Sequence, residues 1–238
     1  MSVTAVPSAP LGRALLAGCG LSFVAGFVDV LGFVALFGLF TAHVTGNFVL
    51  IGAEIVHSGV GVIAKLFALP VFIAAVVVVR FIVLAYERRE ASPLRSLLLL
   101  QAVLLLGFMA AGLYIQPVVN PDTLPAVLTG LTGVAAMAVQ NGTSRMVLGN
   151  HAPTTIMTGN TTQTVIDAVD ILRLPAGADA RKTAIDRFCR MAPAIVAFAA
   201  GAILGALGYL AGSFWCLAVP AVALLGLAAW LSPARTAA

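Results

Sequence analysis

The chain has 238 residues, of which 61% are apolar and 9% are charged, and its mean hydropathy is +1.08. These values exclude an ordinary soluble domain and indicate an all-α integral membrane protein surrounded by lipids. The net charge of +4 does not indicate a nucleic-acid partner, because no basic stripe is interleaved with aromatic residues and basic residues in membrane proteins mostly record orientation.

Six membrane spans and two shorter helices are the elements expected along the chain. Residues 1–12 lack the basic start and apolar core of a signal peptide, so we expect a disordered tail. Six apolar runs are long enough to cross about 30 Å of hydrocarbon, at about 14–39, 62–84, 94–115, 124–147, 189–210 and 213–231. The polar segments after the first and fourth runs each contain a helix-like stretch of about fifteen residues, which is short for a span.

The distribution of basic residues predicts the orientation of these spans. If the shorter helices do not cross and the N-terminus is cytoplasmic, twelve of the 13 Lys and Arg residues lie inside. Only Lys65 then lies outside, which agrees with the positive-inside rule. We therefore expect six transmembrane helices, two non-spanning helices, and both termini in the cytoplasm.

A polar triplet, TGN, occurs once in each half of the chain. TAHVTGN occupies residues 41–47, and TTIMTGN occupies residues 154–160, 113 residues later. In both halves an acid follows the triplet at the same spacing, Glu54 in the first and Asp167 in the second. The unit of one span, one TGN helix and two spans is thus repeated, and its odd number of crossings turns the second copy upside down. We expect a single membrane domain made of two inverted repeats, at about 14–115 and 124–231.

The two TGN triplets are predicted to face each other across a substrate site. A helix that begins inside the membrane presents free N–H groups and a positive dipole at its N-terminus. Transporters with inverted repeats bind their substrates at such breaks. The alternative is that the triplets only cap and pack two re-entrant helices. The predicted binding residues are Thr45, Gly46, Asn47, Thr158, Gly159 and Asn160, together with Asp29 and Asn141 in the preceding spans.

Asp29 is the most informative single residue, because it lies within the first span with apolar or small neighbours on both sides. An intramembrane carboxylate costs about 2.5–3.5 kcal/mol to insert, so such residues usually serve a proton or substrate pathway. We expect Asp29 to couple proton movement to transport, or alternatively to accept hydrogen bonds from the TGN backbone. The other members of the predicted polar path are Gln140, Glu54, Asp167 and His43.

The motifs GFVDVLGF, TAHVTGN, AVQNGTSRMVLG and PTTIMTGNTTQTVID resemble those of the YoaK-like family of small bacterial membrane proteins, over about residues 15–231. The resemblance implies six spans and a location in the bacterial inner (cell) membrane. It supplies no substrate, because the family is one of unknown function. His43 stands where small polar residues are common in that family.

Four classes of function remain to be compared. A small-molecule permease, proton-coupled through Asp29, is favoured by the repeats and the buried acid. A passive channel with paired half-helices is the alternative. An enzyme is not expected, because HExxH, GxSxG and Cys–His motifs do not occur. A purely structural protein would not need costly polar groups in the membrane. We expect no metal or cofactor. We expect a small-molecule substrate, which the sequence does not identify. A homo-oligomer is compatible with the sequence.

Overall fold

The computed structural model describes residues 11–57, 59–149 and 154–231. Most of the predicted tail therefore lies outside the described residues, while Leu11 and Gly12 belong to the first helix. The helices are α1 (Leu11–Ala35), α2 (Gly46–His57), α3 (Val62–Glu87), α4 (Leu94–Tyr114), α5 (Leu124–Met146), α6 (Met157–Arg173), α7 (Asp179–Gly212) and α8 (Ala218–Trp230), with a 3-10 helix at Ser213–Leu217.

Five helical segments in the described part of the chain are long and apolar enough to cross a membrane. The first four agree with the expected runs, and α2 and α6 are not among the five. The fifth covers Asp179–Trp230, where the sequence predicts two separate spans. It begins earlier than expected because the charged stretch before residue 189 continues the helix. Ser213, with φ 52°, ends α7 and separates it from α8.

Helix packing follows the same pattern in the two halves of the chain. Helix α1 packs on α7 as α5 packs on α3, and α1 packs on α8 as α5 packs on α4. Likewise α2 packs on α3 as α6 packs on α7. Helices α1 and α5 also contact each other, and so do α4 and α8. The first helix of each half therefore rests mainly on the third helix of the other half.

The contact between α1 and α7 is close because glycines on each helix face the backbone of the other. A Cβ atom built at Gly26 would lie 2.1 Å from the carbonyl oxygen of Phe198, and one built at Gly201 would lie 2.1 Å from that of Phe23. Only the absence of a side chain permits this approach, which is the usual role of small residues between membrane helices. The close crossing places the end of α1 and the segment that follows it beside α7.

Candidate functional site

The segment between α1 and α2, residues 36–45, is here called the first loop, and it is organised by Asp29. This carboxylate is only 5% exposed. Its Oδ1 accepts hydrogen bonds from the backbone N–H groups of Thr41 at 2.9 Å, Ala42 at 2.7 Å and His43 at 3.3 Å. Asp29 therefore accepts hydrogen bonds from backbone, as in the alternative, but the donors are residues 41–43 of the first loop and not the TGN triplet at residues 45–47.

The second carboxylate oxygen of Asp29 holds the side chain of His43. The distance from His43 Nδ1 to Asp29 Oδ2 is 2.5 Å, and the imidazole side chain is 38% exposed. The rings of Phe40 and Phe198 meet it edge-on, with centroids at 6.2 Å and 5.6 Å. A carboxylate beside an imidazole favours the protonated ring, because the opposite charges attract.

Asn47 closes the first loop from its other end. Its amide oxygen accepts from the Phe40 N–H and its amide nitrogen donates to the Phe40 carbonyl, both at 2.9 Å. The side chain is 1% exposed. Thr45 lies before the helix, is exposed, and makes no side-chain hydrogen bond with the described residues. Asn47 is therefore the residue of the first triplet that fixes the loop backbone, and the Thr45 side chain stays exposed.

The segment between α5 and α6, residues 147–156, is here called the second loop, and its described part is held by amide side chains of α5. Gln140 Nε2 donates to Thr154 Oγ1 at 3.1 Å and to the carbonyl of Leu21 at 2.7 Å. Gln101 of α4 donates to Gln140 Oε1 at 2.7 Å. Asn141 donates to Thr155 Oγ1 at 2.6 Å. Both loops are thus anchored by polar side chains that project from the preceding helix.

The two loops line a common cavity of about 240 Å³, here called the loop cavity. Leu69 and Phe72 of α3 supply apolar wall, and Phe72 lies ten residues into its helix, or about 15 Å from the helix start. The cavity therefore reaches the middle of α3, while its other walls include Asn141, five residues before the end of α5, and the first two residues of α6. Its lining residues are Ala42, His43, Val44, Thr45, Leu69, Phe72, Asn141, Thr155, Ile156, Met157 and Thr158.

Four of the predicted site residues line the loop cavity: His43, Thr45, Asn141 and Thr158. Thr45 and Thr158 hold corresponding positions in the two triplets, and both side chains are exposed. The other predicted residues lie beside the cavity or away from it. Asp29, Gln140, Asn47 and Asn160 are buried behind the loops, and Gly46, Gly159, Glu54 and Asp167 do not line the cavity.

Glu54, whose side chain is 17% exposed, forms an ion pair with the buried Lys65 of α3. Lys65 is 1% exposed, and its Nζ also donates to the carbonyl of Phe37 at 2.7 Å. One oxygen of Glu54, Oε2, is buried without a hydrogen-bond partner among the described residues. The pair connects α2, α3 and the segment after α1, so it holds the first TGN helix in place, and Glu54 does not line the loop cavity.

Asp167 holds the second TGN helix in the corresponding way. Arg187 of α7 binds this fully buried carboxylate through Nη2 at 2.6 Å and Nε at 3.1 Å. Gln163 Nε2 adds a hydrogen bond at 3.0 Å. The Arg187 guanidinium, aided by Gln163, lowers the pKa of the Asp167 carboxyl below its ordinary value, although burial opposes this effect. The acids at equal spacing after TGN are thus each paired with a base on the next helix.

Sequence reasoning did not identify Lys65, Arg187, Gln101 or the α3 wall of the cavity. Lys65 carried a usable signal, because it was the single basic residue expected outside. Arg187 stood among several basic residues near the start of α7, and nothing in their order distinguishes it. Leu69 and Phe72 are ordinary residues of an apolar span, so no sequence pattern marks them as lining a cavity.

A larger depression of about 560 Å³ lies where α1, α4 and α7 end. It is lined by Val34, Ala35, Phe37, Gln116, Pro117, Val118 and Tyr209. None of the predicted site residues lines it, and Gln116 is engaged by a hydrogen bond with Ser213. We therefore place the candidate site at the smaller loop cavity, where polar groups from both halves of the chain converge.

Comparison with known proteins agrees with the resemblance at the level of a family without assigned function. No curated protein and no solved structure matches the chain. A family model described as "Protein of unknown function (DUF1275)" matches residues 17–230, which include all the helices from α2 to α8 and most of α1. The chain therefore belongs to the DUF1275 family of proteins of unknown function.

Proposed function

We propose that the protein is a small-molecule transporter of the bacterial cell membrane and that the loop cavity is its substrate site. The observation that carries the proposal is that equivalent loops from the two halves line one cavity, with the exposed hydroxyls of Thr45 and Thr158 on its wall. Its volume of about 240 Å³ is below the roughly 300–1,000 Å³ of drug-sized ligand sites. The cavity therefore suits a small solute.

The proposed architecture is six spans and two non-spanning TGN helices in two inverted repeats. It is supported by the correspondence of helix contacts between the halves and by the break at Ser213 between α7 and α8. In transporters of this construction, one repeat moves against the other around a fixed central site. A site lined by both loops is opened or closed by such a movement, because each loop belongs to a different repeat.

Asp29 couples a proton to this movement through His43 in the proposed mechanism. Its Oδ1 is occupied by three backbone N–H groups, so the proton exchanges through the pair that Oδ2 forms with His43. Uptake or loss of a proton by this pair changes the charge at the first loop, which carries four cavity-lining residues of the first repeat. The proposal includes no catalytic step, and it is compatible with a homo-oligomer.

The proposal is tested by solute flux into proteoliposomes. The purified protein is reconstituted, and uptake of a panel of small metabolites is measured with and without a pH gradient. The variant Thr158→Phe fills the cavity and should reduce uptake to the level of protein-free liposomes. Thr162→Phe is the matched control, because Thr162 is an exposed residue one turn further along α6 and does not line the cavity.

A second variant separates transport from passive conduction. Asp29→Asn keeps an oxygen for the loop N–H groups but removes the negative charge that favours a proton on His43, so it should transport without accumulation against a gradient. If the native protein only equilibrates solutes and Asp29→Asn behaves identically, the protein is a passive channel. If Thr158→Phe leaves uptake unchanged, the loop cavity is not the substrate site.

A further inference from the structure

We infer that the transported solute is a small organic monoanion and that its accompanying proton is carried by His43. The inference rests on the proposed transport function and assigns the substrate class of the same site. His43 is the only titratable side chain among the described residues that line the loop cavity. It stands between the buried Asp29 and the cavity space, so its charge decides which solutes the cavity accepts.

Asp29 is not available to a solute. Its Oδ1 accepts three backbone N–H groups, and its Oδ2 is bound to His43 Nδ1. A cationic solute would therefore find no free carboxylate on the described wall of the cavity. The nitrogen left to the cavity is His43 Nε2, on the side of the ring away from Asp29.

The two protonation states of His43 give the cavity different charges. With a neutral ring, the proton lies on Nδ1 and the Asp29–His43 pair carries one negative charge, which repels an anion. When a proton adds to the Nε2 lone pair, the pair becomes neutral overall and presents an N–H donor. An anion binds this second state more tightly, and by linkage it raises the affinity of His43 for the proton by the same factor. Anion and proton therefore enter the cavity together.

The groups that face His43 and the cavity agree with this assignment. On its own loop and on α7, the imidazole meets the rings of Phe40 and Phe198, and on α1 it meets Asp29. The described lining from α3, α5 and the second loop contains no charged side chain. The hydroxyls of Thr45 and Thr158 can donate to an anion, while Leu69, Phe72 and Met157 suit its carbon skeleton. A dianion would lack a second cation.

The test uses proteoliposomes and four labelled probes: lactate and pyruvate as monoanions, glycerol as a neutral solute, and ethanolamine as a cation. Flux into protein-free liposomes is subtracted, because weak acids cross bilayers in their neutral form. For the native protein we expect lactate or pyruvate uptake whose KM falls by up to about tenfold for each unit of decrease in external pH, since one proton enters per anion. Glycerol and ethanolamine should not be taken up above background.

Two variants identify the proton site. His43→Gln keeps a polar group beside Asp29 but cannot be protonated, so monoanion uptake should lose its pH dependence. Thr158→Val removes one hydroxyl and leaves His43 unchanged, so KM should rise while the pH dependence is retained. If His43→Gln does not fold, the pH dependence of monoanion uptake by the native protein and by Thr158→Val still tests the inference.

The outcomes separate this inference from the proposed function. Uptake of glycerol or ethanolamine without monoanion uptake would leave the transporter in place and overturn the monoanion assignment. Monoanion uptake independent of pH, or pH dependence retained in His43→Gln, would overturn the role of His43. Absence of uptake for every solute of the wider panel would overturn the transport function itself.

Discussion

Asn47 forms two hydrogen bonds with the backbone of Phe40, one accepted from its N–H and one donated to its carbonyl, each 2.9 Å long. The amide side chain thus pairs with both backbone groups of one residue, as a neighbouring backbone would. Because Phe40 lies seven residues before Asn47, this pairing closes the first loop. We expect Asn47→Ala to destabilise the protein by about 1–3 kcal/mol, because both Phe40 groups lose their partner in a largely buried place. Thermal unfolding in detergent measures the loss.

The matched control for this change is Thr45→Ala, two residues earlier. Thr45 is exposed and makes no side-chain hydrogen bond within the described part of the chain, so truncating it to Ala should change stability by less than about 0.5 kcal/mol. Equal effects of the two substitutions would contradict the role assigned to Asn47.

The ion pair of the buried Lys65 with Glu54 predicts strong coupling between the two residues. Lys65→Met should destabilise by about 3–5 kcal/mol, because the mostly buried Glu54 carboxylate, whose Oε2 has no hydrogen-bond partner among the described residues, loses its base. The double substitution Lys65→Met with Glu54→Gln should recover much of this loss. The exposed pair of Arg80 and Glu87, at 3.2 Å, is the control, and Glu87→Gln should cost at most about 1 kcal/mol. Additive effects at Lys65 and Glu54 would show that the pair is not coupled.

The Asp167–Arg187 pair predicts a specific sensitivity to acid. Because Arg187 lowers the pKa of Asp167 from its ordinary value of 3.8, the folded state binds this proton less readily than the unfolded state. The pair's contribution to stability is therefore present above about pH 4 and is lost as pH falls through the lowered pKa. Arg187→Gln should move acid unfolding, followed by circular dichroism, to higher pH. Lys182→Gln, at an exposed residue earlier on α7, should not.

The close crossing of α1 and α7 predicts that Gly201 tolerates no side chain. Gly201→Ala places a Cβ 2.1 Å from the carbonyl oxygen of Phe23, so the helices must separate. A cost of about 1–3 kcal/mol is expected, as for overpacked cores. Gly18→Ala is the control within α1. Apart from its chain neighbours and the nearby backbone of its own helix, no described heavy atom lies within 4 Å of the added Cβ. It should be neutral or stabilising by up to about 1 kcal/mol.

The proposed inverted repeat predicts that the turns after the two TGN helices lie on opposite sides of the membrane. Val60, which is 52% exposed, and Ala176, which is also exposed, are suitable positions for single cysteines. The background should lack Cys19, Cys189 and Cys216. An impermeant maleimide applied to intact cells should label Val60→Cys and leave Ala176→Cys unlabelled until the cells are opened. Labelling of both from one side would mean that the repeat is not inverted.

Sequence reasoning predicted the features of the fold that depend on local composition. Apolar runs bounded by polar segments located α1, α3, α4 and α5 within a few residues, because a bilayer requires about 20 apolar residues per helix. The chemistry of TGN likewise predicted where α2 and α6 begin. A break between the last two helices was also predicted, at residues 211–212, and Ser213 ends α7 beside it. The start of α7 at Asp179, ten residues before the predicted run, was missed because the charged stretch before that run continues the helix.

The candidate site was less predictable because its contacts depend on how the chain folds back. Asp29 stands out in the sequence as an isolated acid, but its partners Thr41, Ala42 and His43 become visible only once the first loop turns towards α1. The partners of Glu54 and Asp167 lie at different sequence separations, on Lys65 and Arg187. The equal spacing between TGN and the following acid therefore identified Glu54 and Asp167, but it gave no indication of the basic residues that pair with them.

The close crossing of α1 and α7 at Gly26 and Gly201 also has a consequence for synthesis. About 175 residues separate the two glycines, and a ribosome adding about 5–20 residues per second needs about 9–35 s to produce them in turn. During that interval α1 is already in the membrane without the helix on which it finally rests. Assembly of the two halves is therefore completed only after translation has passed α7.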